Sequence, residues 1–497
     1  MDQPTSPVRT KPSHGPIRGP KDGHRDLTKG PILTTLLMFS APTLVSNILQ
    51  ALNGSVNSVW VGQMLGDSAL AATANANVVM FLLFAAVFGF GMAATVKVGQ
   101  AFGAGNTDAA RRTFGTAIGL CVGLSLVLAP LGWLLTPALL RAMSTPPEIF
   151  GFALIYLRLI FVAMPASTIT VIMGMGLRGA GDAQTSLRFM IVSVVLDVGL
   201  NPLLIGGFGP VPPLGIAGSA LATAIAAYVS MAGLILYVYA KGLPLRLRGR
   251  ELAYLIPDPA ELRYILTKGL PMGAQMLMIS ASGLIIIGLV NQEGAMTSAA
   301  YGASLQVWTY LQMPAMAISA ALSAMAAQTI GAGLVGRLGK ITRAGLILNV
   351  SITGTLLLLL LAFDRPVLTL FLGPTSPAVD AARHIQFLGS WSYILFGMTI
   401  VLFGTMRAGG VVITPIVVLG IAMYPVRLGF YALAYPSLGV DALWLSFPVG
   451  SAAALLMATW AYRRPGWRQH ARVVDSDECS EEAQADGDCS GRMAPSL

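Results

Sequence analysis

Twelve stretches of about 20 mostly apolar residues recur along the chain and limit its fold more than any other feature. A helix of this length crosses the hydrocarbon core of a bilayer. Only 11% of the residues are charged, against about 25% in soluble domains. The chain is therefore predicted to be an all-α membrane protein with twelve transmembrane helices. The predicted spans are roughly 33–61, 70–97, 113–137, 150–173, 185–206, 214–240, 264–290, 297–325, 341–362, 384–405, 411–435 and 440–461.

Basic residues are concentrated in alternate connections between these spans. Lys and Arg are retained on the cytoplasmic side of a membrane, so both termini are predicted to be cytoplasmic. An even number of spans agrees with that orientation. The net charge of +9 follows from these loops and requires no nucleic acid partner. The basic connections contain Arg111, Arg112, Arg178, the cluster 241–250, Arg337, Lys340 and Arg407.

Composition changes at both ends of the chain and once in the middle. Residues 1–30 are rich in Pro, Lys and Arg and are predicted to be a disordered cytosolic arm. Residues 463–497 turn from basic to acidic and are predicted to be a second disordered cytosolic tail. Between them we expect an N-lobe of six spans at 31–240, a cytosolic linker at 241–262 and a C-lobe of six spans at 263–462.

The chain contains an internal duplication. The motif Gln-x-x-Gly-Ala-Gly at 100–105 recurs at 328–333, and Pro42 recurs as Pro271, where 271 − 42 = 229. Each copy has six spans, so both copies enter the membrane in the same orientation. Two pseudo-symmetric six-helix lobes are predicted, with a cavity between them at mid-membrane. The glycines of the motif fit either plain helix caps or hinges.

Asp197 is the only acidic residue in the interior of a predicted span. A carboxylate at bilayer depth costs about 2.5–3.5 kcal/mol on insertion scales. Such a group faces a polar cavity, takes a proton or holds a cation. A hydrogen bond that only holds helices together is the alternative, and we favour function because ionisation costs too much for packing alone.

Two polar stripes accompany this carboxylate at helical spacing. Amides that faced lipid would leave hydrogen-bonding groups unsatisfied, so the stripes are expected to face each other or a wet cavity. For the amides and serines, function and simple interhelical bonding remain open. Thr223 of the sixth span can join them. The stripes are Ser46, Gln50, Asn53 and Asn57 in the first span and Ser186, Met190, Ser193, Asp197 and Asn201 in the fifth.

Other chemistry finds little support in the sequence. The three cysteines and four histidines give no set for nucleophilic or metal catalysis within the spans, so we expect no enzyme, no metal and no cofactor. A passive channel remains an alternative and would conduct without any ion gradient. The counterpart of Asp197 at the repeat offset is Val426, beside Arg427. Arg427 can either snorkel to the outer headgroups or line the cavity, and we favour snorkelling.

The chain resembles the multidrug and toxic compound extrusion (MATE) family over about 30–462. The matching motifs are Gly-Gln-Met-Leu-Gly at 62–66, the Gly-Ala-Gly turn at 103–105, and the loop 177–182 that leads to Asp197. The resemblance implies an inner-membrane antiporter of two six-helix lobes. Such proteins expel bulky cationic or aromatic compounds in exchange for protons or sodium ions. We therefore expect a multi-pass protein of the bacterial inner (plasma) membrane that acts as a monomer on small molecules.

The resemblance also assigns residues. The ion-coupling positions of the family's N-lobe match Asn57, Asp197, Asn201 and Thr223, and its bending proline matches Pro42. A further set is expected to contact substrate, namely Gln50, Asn53 and Met190.

This chain departs from the family pattern in its acids. The first-helix acid is replaced by Asn57, and the C-lobe acids of sodium-coupled members fall on apolar or hydroxyl residues near Ile279, Ser280 and Phe396. Sodium requires several hard oxygen ligands, whereas one carboxylate can carry a proton by itself. Proton coupling is therefore preferred, with sodium coupling as an alternative. A lipid-linked precursor flippase of the same architecture is a second alternative, although the central arginines expected for a pyrophosphate are few.

Overall fold

The computed structural model describes residues 26–207, 212–373, 376–464 and 467. Within these ranges the protein is built from helices and contains no strand. The first half contains α1 (Ile32–Leu65), α2 (Asp67–Gly103), α3 (Thr107–Ala142), α4 (Pro147–Gly179), α5 (Ala183–Gly206) and α6 (Ile216–Lys241). The second half contains α7 (Pro259–Gln292), α8 (Ala295–Gly331), α9 (Leu338–Ala362), α10 (Asp364–Leu372), α11 (Ala378–Gly389), α12 (Ser392–Ala408), α13 (Ile413–Ile421), α14 (Arg427–Leu438) and α15 (Asp441–Arg463).

The predicted twelve spans are confirmed, with two irregularities. Eleven helical spans in the described ranges are long and apolar enough to cross a bilayer, and α13 with α14 forms one of them. The twelfth is the pair α11 and α12, which bends by 44° at a short break. A π-helical turn, Ala422–Val426, joins α13 to α14 and contains Pro425. Proline has no amide hydrogen to donate within a helix, which favours such a local rearrangement.

Glycines in the left-handed region end the helices at the repeated turns. Gly105 after α2 has φ +77° and Gly333 after α8 has φ +70°. Gly181 after α4 and Gly410 after α12 have φ +94° and +78°. A residue with a Cβ is strained at such angles, so the repeated glycines have a local structural cause.

The two lobes meet at the end of the bundle that carries these turns. The side-chain amide of Gln100 on α2 donates to the backbone carbonyl of Ala408 on α12 at 2.8 Å. The side-chain amide of Gln328 on α8 donates to the carbonyl of Gly179 on α4 at 2.9 Å. The two glutamines occupy the same place in the two copies of the repeat. They therefore form a symmetric pair of bonds that joins one lobe to the other.

The glycines of the same motif allow this approach. A Cβ at Gly331 would lie 1.8 Å from the carbonyl oxygen of Gln100, and a Cβ at Gly103 would lie 2.0 Å from that of Gln328. Neither distance is possible between real atoms. These glycines do more than end the helices, because each lets the opposite lobe come into backbone contact.

The predicted linker 241–262 packs on the N-lobe. Its short 3-10 helix, Gly249–Leu255, is held by an ion pair of 2.6 Å between Arg111 and Glu251. A Cβ at Gly119 of α3 would lie 1.8 Å from the carbonyl oxygen of Leu255. Helix α7 begins at Pro259, within the predicted linker.

The predicted arm and tail fall largely outside the described residues. The described part of the arm is packed: Leu27 is fully buried and its amide donates to the side chain of Gln328 at 3.2 Å. At the other end Trp467 is also buried. Leu27 therefore packs in the contact between the lobes, whereas Asp26, Lys29 and Gly30 beside it are exposed.

Candidate ion-coupling site

Asp197 lies within α5 and is 3% exposed. The amide of Asn53 on α1 donates to its Oδ2 at 2.8 Å, and the hydroxyl of Thr223 on α6 donates to its Oδ1 at 3.0 Å. The amide of Asn201, one turn along α5, donates to Oδ1 at 3.2 Å and to the Asp197 carbonyl at 2.9 Å. One carboxylate thus joins three helices through neutral donors.

No positive side chain balances this carboxylate. Among the described residues, no lysine, arginine or histidine forms an ion pair with Asp197. Burying an ionised carboxylate against dipoles alone leaves most of its solvation energy unreplaced. The site therefore favours binding a proton or a cation.

Two amide oxygens beside the carboxylate have no partner. Asn53 Oδ1 and Asn201 Oδ1 are buried and accept no hydrogen bond. An unmet buried acceptor costs about 1–3 kcal/mol, so each oxygen favours a donor or a positive charge nearby. No cluster of three or more His, Cys, Asp or Glu that could hold a metal ion occurs in the described ranges.

Asn57 belongs to a second polar group, adjacent to the first. Its amide donates to the Tyr156 hydroxyl at 3.4 Å, and its oxygen accepts from the Ser219 hydroxyl at 2.8 Å. The Thr223 hydroxyl lies 3.4 Å from the Ser219 carbonyl and connects the two groups. Of the four positions matched to the family's ion site, Asp197, Asn201 and Thr223 meet at the carboxylate. Asn57 does not bond to the carboxylate and is connected to it through Ser219 and Thr223.

Sequence reasoning missed Tyr156 and Ser219. Ser219 lies four residues before Thr223, so helical spacing on α6 could have identified it. Tyr156 lies in a part of α4 whose other residues are apolar apart from Arg158, and no periodic polar pattern marks it.

The other predicted residues lie around the site without bonding to Asp197. Gln50 is exposed and Met190 is half-buried. Helix α1 is continuous through Pro42 from Ile32 to Leu65, so the proline does not break the helix in this state.

Pro42 lines a cavity of about 360 Å³ between α1 and the start of α5, together with Gln184. That volume falls in the range of small-molecule sites, about 300–1,000 Å³.

The expectation for Arg427 is wrong. Its side chain is 7% exposed, and its guanidinium carbon lies 3.6 Å from the centre of the Phe447 ring. It therefore points into the C-lobe and not to the headgroups. The π-helical turn before it displaces α14 relative to α13, which the apolar pattern of the span does not reveal.

A model of the MatE family matches residues 42–203 and 271–433. The two matched segments start 229 residues apart (271 − 42), which is the offset of the internal duplication. The probable multidrug resistance protein YoeA of Bacillus subtilis is 34% identical over 444 residues, 89% of this chain and 96% of that protein. The probable multidrug resistance protein YpnP of the same organism is 29% identical over 448 residues, 89% of this chain and 97% of that protein.

A solved structure agrees in fold. The outward-facing conformation of a multidrug resistance MATE family transporter of the MOP superfamily matches with a TM-score of 0.81 at 18% identity, over 90% of this chain and 98% of that chain. The helices and the duplication define a multi-pass membrane transporter with two related lobes. The chain belongs to the MATE family of multidrug efflux transporters.

Proposed function

We propose that this transporter is an antiporter that exchanges external protons for cytosolic cationic or aromatic compounds by alternating access. The observation that carries the proposal is the buried carboxylate of Asp197, which has three neutral donors and, among the described residues, no cationic partner. We further propose that it works as a monomer in the bacterial inner membrane, with both termini in the cytoplasm and without a bound cofactor.

The lobe contact supports an assignment of the present state. The basic connections support a cytoplasmic location for the Gln100 and Gln328 turns. Because the lobes are in backbone contact there, this state is closed to the cytoplasm. Substrate would then leave and a proton would enter from the opposite side.

Protonation of Asp197 is proposed to release the helices it joins. The ionised carboxylate accepts from Asn53 on α1 and from Thr223 on α6. Each hydrogen bond to a charged group contributes about 1.5–3 kcal/mol and weakens when the charge is lost. Helix α1 can then shift or bend at Pro42, which reduces affinity for a cation and favours its release. One proton in for one monovalent cation out cancels the electrical term, about 2.3 kcal/mol per 100 mV.

The test is dye efflux from proteoliposomes under an imposed pH gradient, with Asp197→Asn compared with the unaltered protein. We expect the variant to lose gradient-driven efflux, because asparagine keeps the size of the side chain but cannot take a proton and keeps only one of the two acceptor oxygens. Asp441→Asn is the matched control, since Asp441 is a partly exposed acid that pairs with His384 at 2.8 Å. Equal pumping by the Asp197 variant would rule out the carboxylate as the coupling group.

Sodium coupling is the second candidate, and the unpartnered oxygens of Asn53 and Asn201 favour it. With the carboxylate and the Thr223 hydroxyl they could supply several hard oxygen ligands. The same vesicles under a sodium gradient at equal pH on both sides distinguish the two coupling ions. Efflux under these conditions would establish sodium coupling, and no efflux would support proton coupling.

A further inference from the structure

The C-lobe contains a separate, partly open cavity of about 180 Å³ between α7, α8, α12, α13, α14 and α15. Arg427 and four aromatic side chains line it, namely Tyr301, Tyr393, Phe396 and Phe447. The cavity is smaller than the range of drug-sized sites, about 300–1,000 Å³. Its size suits a ligand of one ring.

Arg427 lines this cavity, and two of its guanidinium nitrogens lack a hydrogen-bond partner in the part of the chain that the structure describes. Its Nε and Nη2 atoms are buried and have no hydrogen-bond partner. The residues that line the cavity include no aspartate or glutamate, and no ion pair to Arg427 occurs in the described ranges. The guanidinium carbon lies over the face of the Phe447 ring, 3.6 Å from its centre, which is a stabilising cation–π contact.

A buried guanidinium without a counter-ion is costly, so it favours an anion from outside the chain. The planar group carries five donors in a fork that matches the paired oxygens of a carboxylate, sulfonate or phosphate. The aromatic walls favour a flat ring attached to that anionic group. The chemistry of the lining therefore specifies both parts of the ligand.

The backbone around Arg427 is arranged for this side chain. The π-helical turn Ala422–Val426 directly precedes it, and such turns are frequent at functional sites. A Cβ at Gly450 would lie 3.3 Å from the Cβ of Arg427, so a glycine there leaves room for the arginine. Because 197 + 229 = 426, Arg427 stands one residue from the counterpart of Asp197. The two lobes thus bury opposite charges in corresponding helices.

We propose that the C-lobe cavity binds a small aromatic anion, with Arg427 holding the carboxylate or sulfonate and with Tyr301, Tyr393 and Phe447 enclosing the ring. This site is distinct from the Asp197 site and takes ligands of the opposite charge. Its occupancy does not depend on which ion drives transport.

The test is equilibrium binding to the purified full chain in nanodiscs, measured by calorimetry in gluconate buffer. The probes are benzenesulfonate, a permanent anion, and benzenesulfonamide, its neutral analogue. We expect benzenesulfonate to bind about tenfold or more tightly than the sulfonamide, as a charge-assisted hydrogen bond implies. Arg427→Gln should remove that difference, and Arg427→Lys should keep part of it.

Two further variants complete the design. Arg158→Gln is the matched control, because Arg158 also lies over a ring, that of Trp133 at 4.2 Å, but outside this cavity, and binding should not change. Gly283→Val should weaken benzenesulfonate binding about tenfold or more by filling the cavity, since nothing lies within 4 Å of a Cβ there. It tests the site even if Arg427→Gln does not fold.

The proposal fails if both probes bind equally, if Arg427→Gln binds benzenesulfonate as the unaltered protein does, or if Gly283→Val leaves binding unchanged. Benzoate and chloride are compared as competitors of benzenesulfonate. Displacement by chloride as effective as displacement by benzoate would show that an inorganic anion occupies the site and would also overturn the proposal. Asp197→Asn separates this proposal from the transport mechanism. It should retain benzenesulfonate binding even though it loses efflux.

Discussion

Replacing Gly331 with alanine tests the lobe contact most sharply. The added Cβ would lie 1.8 Å from the carbonyl oxygen of Gln100, whereas an ordinary carbon–oxygen contact is about 3.4 Å. Helices α2 and α8 would have to separate by roughly 1.5 Å in this state. That separation disrupts the bonds of Gln100 to Ala408 and of Gln328 to Gly179, now 2.8 and 2.9 Å long.

The size of the effect follows from those two bonds. Each contributes about 0.5–1.5 kcal/mol, so their loss disfavours the closed state by roughly 1–3 kcal/mol. The ratio of closed to open molecules should fall by a factor of about 5–150. The substitution raises the free energy of the closed form, whereas the open form keeps its own contacts.

The assay is a distance distribution between spin labels on Thr107 and Lys340, which flank the two turns and are both exposed. In Gly331→Ala the distribution should shift to longer distances. Gly302→Ala is the matched control on the same helix, because nothing lies within 4 Å of a Cβ at that position. If Gly331→Ala gives the distribution of the unaltered protein, the glycine does not govern closure and the reasoning is refuted.

Two further changes test the packing that supports the sites. Trp308→Phe should lower the midpoint of thermal unfolding in detergent by an amount that corresponds to about 1–3 kcal/mol, because the indole N–H donates to Gln386 at 2.8 Å. Trp460 is 59% exposed and is the control, so Trp460→Phe should leave the midpoint unchanged. Arg111→Met should speed proteolytic cleavage of the linker, since it removes the 2.6 Å ion pair with Glu251 and costs about 1 kcal/mol or less. An unchanged cleavage rate would show that the other contacts of the linker, such as the Tyr254 hydroxyl to Asp108 at 2.9 Å, hold it without this ion pair.

Helical spacing in the sequence was sufficient to bring most of the candidate site together. Asn53 lies on the polar stripe of the first span, and Asp197 and Asn201 lie one turn apart on the stripe of the fifth span. Polar groups in lipid must face inward, so the contact between the two stripes was predictable. The contact of Thr223 followed from the resemblance and from its place in the sixth span. Pairing between specific atoms was not predictable, because it depends on how each helix is rotated about its axis.

The C-lobe shows why other features of the structure could not be predicted from the sequence. A π-helical turn inserts one extra residue and rotates the following helix by about 100°, so the apolar pattern before Ala422 does not tell where Arg427 points. The bend of 44° between α11 and α12 falls at Gly389 to Ser392, where the Gly and Ser residues permit a kink but do not determine its angle. Tyr156 likewise reaches Asn57 only through the packing of α4 against its neighbours.

In the proposed mechanism Asp197 gives up its proton when the substrate binds. The pH change on binding of a cationic dye to purified protein in weakly buffered nanodiscs measures this exchange. We expect release of about one proton per dye bound by the unaltered protein and none by Asp197→Asn. Equal proton release by the variant, or dye binding by the unaltered protein with no proton released, would contradict it.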